Sequence, residues 1–341
     1  MKKALTFLLL AALLATSLTA CDTADSDDEP TKITTENKDS GIPEYNAADA
    51  NPASDFEYKV GKDGITITKY IGTDTDVVIP EKIDGKDVTV IERDVFSYGY
   101  NSKVVSVDMP DTVNVIAGGA FMYNKALTTV RLSNSLSEIG GSAFEGCINL
   151  STIQLPATLT KIGMRAFAEC TSLKQIKIPK SVTEWNSDSF VFSGLETIEL
   201  EDGLTVLGET AFGGTKIKSI EIPGSVKVIP HGVFSRCEKL ETVVLNKGIE
   251  TIERIAFRNN TSLTKIIIPD TVVTCSEFAF IECTALEKVQ FEGNAPSEFK
   301  NQDAVLEEVY TSSRATFTVY YHEGAEGFTS PEWNGYKTQI W

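Results

Sequence analysis

The sequence predicts a solenoid, a β-rich column in which short strands stack in parallel, one per repeat. Three observations carry the prediction. Phenylalanine recurs at Phe96, Phe121, Phe144, Phe167, Phe190, Phe212, Phe234, Phe257 and Phe280, in steps of 25, 23, 23, 23, 22, 22, 23 and 23 residues. Six residues after most of them stands a leucine: Leu127, Leu150, Leu173, Leu240, Leu263 and Leu286. Five further on comes an apolar residue, often followed by proline, as in Leu155-Pro156, Ile178-Pro179 and Ile268-Pro269. A repeat of 23 residues cannot bury its own apolar side, so it must stack on copies of itself.

The stretch from Ala166 to Pro179 shows how one unit works. Leu173-x-x-Ile176-x-Ile178 ends in alternating apolar positions, which reads as a strand with one face inward. Proline closes the strand because it has no N–H for a ladder. Asn, Ser, Gly and Thr then turn the chain. Nine stacked units at about 4.8 Å per strand would give a column roughly 45 Å long. The connections are too short for full helices, so single helical turns are expected around each Ala-Phe pair. Three residues after Phe the slot holds Asn124, Cys147, Cys170, Cys237, Asn260 or Cys283. Asn satisfies nearby backbone groups, and Cys acts as a small hydrophobe. The two shorter units, after Phe190 and Phe212, are expected to lose this slot with the missing residue.

The run Leu-x-x-Ile-x-Ile-Pro, then Val-x-x-Ile-Gly, then Ala-Phe-x-x-Cys resembles the BspA-like bacterial leucine-rich repeat surface proteins, over about Phe56 to Trp341. The resemblance implies a curved, right-handed leucine-rich repeat solenoid with parallel strands. It also implies a cell-surface role in adhesion or ligand binding, and it brings no catalytic residues.

Along the chain, Met1 to Ala20 reads as a signal peptide. Lys2 and Lys3 form its basic start and Leu5 to Leu14 its apolar run, which is too short for a stable membrane span. Leu18-Thr19-Ala20-Cys21 resembles a lipobox, placing a lipid on Cys21 after cleavage; a plain secretory signal is the alternative. Two or three acyl chains anchor firmly where one does not. Residues 21–54 read as the lipidated cysteine and a disordered acidic tether. Asp22 to Ser54 holds nine acids and two lysines, too few apolar groups to offset the entropy of ordering. As a coil it would span roughly 30 Å. Residues 55–95 read as an N-terminal cap that opens with a hairpin: Phe56 to Val60 and Ile65 to Ile67 alternate around Gly61-Lys62-Asp63-Gly64. Residues 96–291 hold the repeats, with Tyr98 to Ser102 inserted after the first. Residues 292–341 read as a C-terminal cap that leaves the period, with a strand over Ala315 to Tyr321. Its Phe328, Trp333, Tyr336 and Trp341 are suited to plug the open end of the core, or alternatively to stack on sugars.

Across its 341 residues the chain is 42% hydrophobic and 23% charged, with a formal charge of −17. Such a surface argues against nucleic acid as a partner. Only His231 and His322 are present, in distant units, so a metal site or histidine triad is not expected. No Walker loop, Rossmann fingerprint, HExxH or GxSxG occurs, and no cofactor is expected. Cys147 and Cys170 share a slot in adjacent units within disulfide range, but side chains parallel in one ladder rarely take the required dihedral. Reduced core thiols are the expectation, with Cys275 as a core substitution.

Binding should fall on the outward strand positions. Their first column reads Ser106, Thr129, Thr152, Gln175, Thr197, Ser219, Thr242, Lys265, Lys288. Their second reads Asp108, Arg131, Gln154, Lys177, Glu199, Glu221, Val244, Ile267, Gln290. Val244 and Ile267 are apolar where their neighbours are polar, beside Lys265 and Lys288, and these four are the candidate partner-binding residues. The expected function is a lipid-anchored cell-surface protein without enzymatic activity, mediating adhesion or protein or glycan binding through this face. A polysaccharide-active enzyme using Glu199 and Glu221, or an envelope assembly scaffold, are the alternatives.

Overall fold

A computed structural model describes residues 44–99, 103–276, 278–296, 298–299, 318–333 and 336–341, all in the unit Glu36–Trp341. The signal peptide, Cys21, the tether as far as residue 43 and the inserted Tyr100 to Ser102 lie outside the described residues. The expected solenoid of parallel strands is present, and its complete turns contribute to three ladders.

The first ladder is the strand face. Its strands run from Asp76–Val78 and Ser106–Asp108, through Gln175–Ile178 and Thr197–Leu200, to Lys265–Ile268 and Lys288–Phe291. Neighbours pair in parallel with like against like, as in Gln175 with Thr197 and Ile176 with Ile198. That register follows from the equal spacing, because inward residues such as Val130, Ile176, Ile220 and Ile266 must all meet the core. Seams in the hydrogen bonding fall after Thr152–Ile153, Thr197–Leu200 and Thr242–Leu245, and no side chain there accounts for their placing. The second ladder holds short strands such as Glu138–Ile139, Lys161–Ile162 and Glu184–Trp185.

The third ladder replaces the expected helical turns. Among the described residues the only helices are the 3-10 turns Ala47–Asp49 and Ala53–Asp55. Around each repeat phenylalanine the chain alternates in hand instead. The residues two before and two after Phe167 are Arg165 and Glu169, at φ 56° and 60°. Ser142 and Gly146 flank Phe144 in the same way, at 56° and 70°. Alternation of this kind turns every second N–H to one side of the chain. Those N–H groups donate to the next turn: Arg165 to Ser187 O at 3.1 Å, Phe167 to Ser189 O at 2.7 Å, Glu169 to Val191 O at 2.9 Å. The left-handed geometry costs about 1–2 kcal/mol at each non-glycine position. Three backbone hydrogen bonds between successive turns, made by groups that would otherwise be buried unpaired, offset it.

The phenylalanine rings stack inside this bend. Neighbouring centroids lie 4.8 Å apart between Phe121 and Phe144 and 5.1 Å between Phe144 and Phe167. Tyr70 and Phe56 extend the column into the hairpin, at 5.8 Å from Phe96 and 5.3 Å from each other.

The slot after phenylalanine is lined by donors. Cys147 and Cys170 direct their thiols to the carbonyls of Phe121 and Phe144, at 3.1 and 3.2 Å. The shorter units keep the slot, contrary to the expectation from spacing. Ser193 and Thr215 fill it and are buried, and Thr215 Oγ1 donates to Phe212 O at 2.8 Å. The deletion therefore falls in the turn that follows, where a shorter loop costs no core contact.

At its start, the hairpin Phe56–Val60 with Ile65–Tyr70 is antiparallel, and its second strand joins the second ladder beside Lys86–Ile91. The folded part begins ahead of residue 55. Tyr45 donates its hydroxyl to Ile79 O, and Asn51 occupies the free edge of Asp76–Val78 with its own N–H and side-chain oxygen. At the other end, Thr318–Tyr321 and Tyr336–Ile340 continue the strand face in parallel. Phe328 and Trp333 close the core against Phe291, at 5.2 and 6.0 Å. Trp341 does not join them; it is exposed and lies on His322.

Gly146 tests the alternating bend. A Cβ there would come within 2.1 Å of the Tyr123 ring, at a φ of 70°. Gly146→Ala should cost about 2 kcal/mol or more in urea denaturation. Adding Tyr123→Ala should recover the steric share but leave a left-handed penalty of about 1 kcal/mol. A neutral Gly146→Ala would contradict the bend as described.

Candidate binding face

The four residues singled out by sequence lie together at the late end of the strand face. Val244 is on Thr242–Leu245, Lys265 and Ile267 are on Lys265–Ile268, and Lys288 is on Lys288–Phe291. Thr242–Leu245 neighbours Lys265–Ile268, and Lys265 pairs directly with Lys288. Val244 and Ile267 are half-buried by the strands beside them, while Lys265 is exposed.

The structure enlarges this patch beyond the sequence reading. Because the ladder continues, Gln290 is opposite Tyr320, so the second column runs Val244, Ile267, Gln290, Tyr320. The first runs Lys265, Lys288, Thr318, Lys337. Tyr320 and Lys337 escaped the repeat pattern because the steps from Lys288 to Thr318 and on to Lys337 are 30 and 19 residues rather than 23. The one signal was alternation: Val319 and Tyr321 are buried on either side of Tyr320. Lys288 Nζ stands 4.2 Å above the Tyr320 ring, a cation–π contact that also fixes the ring. Burial, and then the neighbouring Lys265 ammonium, push Lys288 below the usual lysine range. Among the described residues no carboxylate lies within 4 Å of Lys265 or Lys288, whereas Lys174, Lys177, Lys227 and Lys247 are each paired. Two adjacent cations without counter-ions on an acidic protein form a surface that an anionic group would neutralise.

The carboxylate pair considered for glycoside chemistry is engaged elsewhere. Glu199 is 2.7 Å from Lys177, Glu221 accepts from the Asn246 side chain at 3.0 Å, and a seam separates their strands. His231 donates its backbone N–H to Glu253, and among the described residues no three His, Cys, Asp or Glu converge to hold a metal.

Among the described residues five cysteines, Cys147, Cys170, Cys237, Cys275 and Cys283, are free and buried. Burial pushes the Cys147, Cys237, Cys275 and Cys283 thiols from the ordinary 9.0 up to about 12. A thiolate forms more readily in the unfolded chain, so stability is full below about pH 9 and falls as pH rises toward 12. The slope is about 1.4 kcal/mol per pH unit for each thiol. Native protein at pH 8 should therefore leave all five thiols unreacted with a thiol reagent, and alkaline unfolding should shift to higher pH when Cys147 and Cys237 are replaced by serine's apolar counterpart, alanine, relative to the loss seen at neutral pH. Rapid labelling of any of these five in the native chain would contradict the burial.

The model of the BspA type leucine rich repeat region matches residues 89–218 and 205–313, in six copies. No curated protein matches the chain. Among solved structures, a leucine rich cell surface protein from Faecalibacterium prausnitzii A2-165 is similar at 22% identity, over 85% of this chain and 94% of its own, with a TM-score of 0.55. A leucine rich repeat protein from T. pallidum is similar at 27% identity, over 70% of this chain and 90% of its own, with a TM-score of 0.48. At such identities the first likeness is one of fold. Among the described residues no helix is long and apolar enough to cross a membrane.

Proposed function

We propose that this chain, which belongs to the BspA-type leucine-rich repeat family, is a lipid-anchored cell-surface protein that binds an acidic protein or glycan partner through the late end of its strand face. The observation that carries the reading is the patch of Val244, Ile267 and Tyr320 beside Lys265, Lys288 and Lys337. It is the stretch of the outward columns where apolar groups and cations without counter-ions coincide. The mechanism is contact at several points on a surface already in its bound shape, so little ordering entropy is lost on association. The apolar column supplies desolvation and the lysine column supplies orientation and a faster encounter. No chemistry on the partner is needed.

Location rests on the sequence: Lys2, Lys3 and the apolar run before Leu18-Thr19-Ala20-Cys21. The F. prausnitzii protein of the same fold is described as a cell surface protein, which agrees with this address.

Two experiments test the two halves. Val244→Asp with Ile267→Asp should abolish binding to whichever matrix protein or acidic glycan a panel identifies, and Lys265→Glu with Lys337→Glu should weaken it about tenfold or more. The melting temperature of the lysine variant should stay near the parent's. Unaltered binding in both would remove the strand-face reading. Separately, Cys21→Ser should end incorporation of a labelled fatty acid and release the protein from the membrane fraction; a protein that stays membrane-bound would end the lipid reading.

A further inference from the structure

The chain ahead of the solenoid crosses the strand face before its first strand begins. Tyr45 lies on the second outward column: its hydroxyl donates to Ile79 O at 2.9 Å, and the Arg131 guanidinium stands 5.5 Å from its ring centre. Asn51 then closes the edge of Asp76–Val78 with two bonds to Val78, each 2.9 Å. Residues before Glu44 therefore set out from the early end of the same face that carries the lysine patch at its late end.

Those residues are opposite in charge to the patch. Asp22-Thr23-Ala24-Asp25-Ser26-Asp27-Asp28-Glu29 holds five acids and no cation. On the outward columns, up to the last repeat, the cations are Arg131, Lys177, Lys265 and Lys288. Arg131 is already met by Asp108 and Asp111, and Lys177 by Glu199 and Glu201. Lys265 and Lys288 are side by side in register and keep no such partner among the described residues. A tract of acids travelling along this face meets its first free cations there.

The reach agrees. From Thr129–Arg131 to Lys265–Ile268 there are six strand steps, roughly 30 Å at about 4.8 Å each. Residues 25–44, taken as a coil, would span roughly 25 Å on average and up to about 65 Å when extended. A linker whose mean length is close to the span gives its highest effective concentration, of about millimolar order.

We propose that the acidic tract of residues 22–29 docks in cis on Lys265 and Lys288 and masks them until an acidic partner displaces it. This rests on the reading of the late strand face as the binding surface, and adds a regulation to it. The one apolar residue of the tract is Ala24, so the tract neutralises the lysine column and leaves Val244 and Ile267 uncovered. A partner that brings acids and apolar groups together makes a contact the tract lacks, and displaces it. An anion that offers charge alone meets the tract as a competitor, which raises specificity. Tyr45 fixes the point from which the tract starts, and with it the distance to be spanned.

The test uses the full chain and a water-soluble carbodiimide, which condenses a carboxylate and a lysine amine into an amide without a spacer. Digestion and mass spectrometry should find amides joining residues 22–29 to Lys265 or Lys288 within one molecule, at a yield independent of protein concentration. The yield should fall several-fold at about 1 M salt, where the screening length is about 3 Å. Asp25→Asn, Asp27→Asn, Asp28→Asn and Glu29→Gln together should tighten the binding of a hexaglutamate peptide about threefold or more, read by calorimetry. In a chain carrying Lys265→Gln and Lys288→Gln the same four changes should make no difference to that peptide. Absence of these amides, equal yields at the exposed Lys62 and Lys86 of the opening turns, amides formed only between molecules, or hexaglutamate binding unchanged by the neutral tract would each overturn the proposal. The strand-face reading fails separately, when the lysine variants leave partner binding unaltered while the amides are still found.

Discussion

The alternating bend around each phenylalanine is the constraint on which the rest of the molecule depends. It commits three N–H groups per turn to the carbonyls of the next turn, so one unit is incomplete until its successor is in place. In the turn centred on Phe144 those donors are Ser142, Phe144 and Gly146, and their acceptors are Met164, Ala166 and Ala168. The bonds all point the same way along the column. Ring stacking at about 5 Å then follows, because the backbone spacing leaves no other distance for the rings. The slot after phenylalanine follows too: the carbonyl of Phe121 or Phe144 has a second lone pair facing the next turn, and the thiol of Cys147 or Cys170 answers it.

That constraint separates what may vary from what may not. Inward residues and bend residues serve the stack. Outward residues on the strands are free of it, which is why charge and polarity wander along the columns while Ile176, Ile220 and Ile266 stay apolar. A patch such as Val244, Ile267 and Tyr320 beside Lys265 and Lys288 is therefore cheap to install, since it disturbs no turn-to-turn bond. Its rigidity is supplied by the backbone underneath.

The period, the hairpin around Gly61 to Gly64 and the inward leucine and isoleucine columns were legible in the sequence, because burial leaves a compositional mark at fixed spacing. The bend was not. Arg165, Glu169, Thr210 and Ile255 all adopt positive φ, and such residues give no warning of it. Cooperative bonding to the next turn, absent from any local propensity, decides the conformation. The retained slot at Ser193 and Thr215 was hidden by assuming that a deletion removes the nearest conspicuous residue. Alternation marked the strand within Ala315 to Tyr321, found at Thr318–Tyr321, but irregular spacing hid that it and Tyr336–Ile340 continue the strand face, so Tyr320 and Lys337, two of the six residues of the candidate face, had to wait for the register. Asn51 at the opening edge had no signal at all, since its role is only to give a strand edge something other than water or another chain.

The strand-face patch and the gap between Glu184–Trp185 and Val228–Ile229 on the second ladder are opposite departures from the repeat. On the strand face the backbone ladder is kept and the outward side chains change. At the Trp185 gap the side chains that face inward change, and the backbone is set free. Replacing Ile by Trp enlarges one turn at the expense of the next, and replacing a donor by Pro230 removes the bond that would have drawn the turns back together. Either substitution alone would leave one side of Thr205–Gly208 able to pair. Together they leave the N–H groups of Thr205 and Gly208 without carbonyls from the preceding turn and Leu207 O without an N–H from the following one, an arrangement that costs stability unless solvent completes it. Elsewhere on that ladder the described turns complete their neighbours, as Gly163 does for Ile139 and Glu253 for Ile229, so the lapse is confined to the turn between these two substitutions.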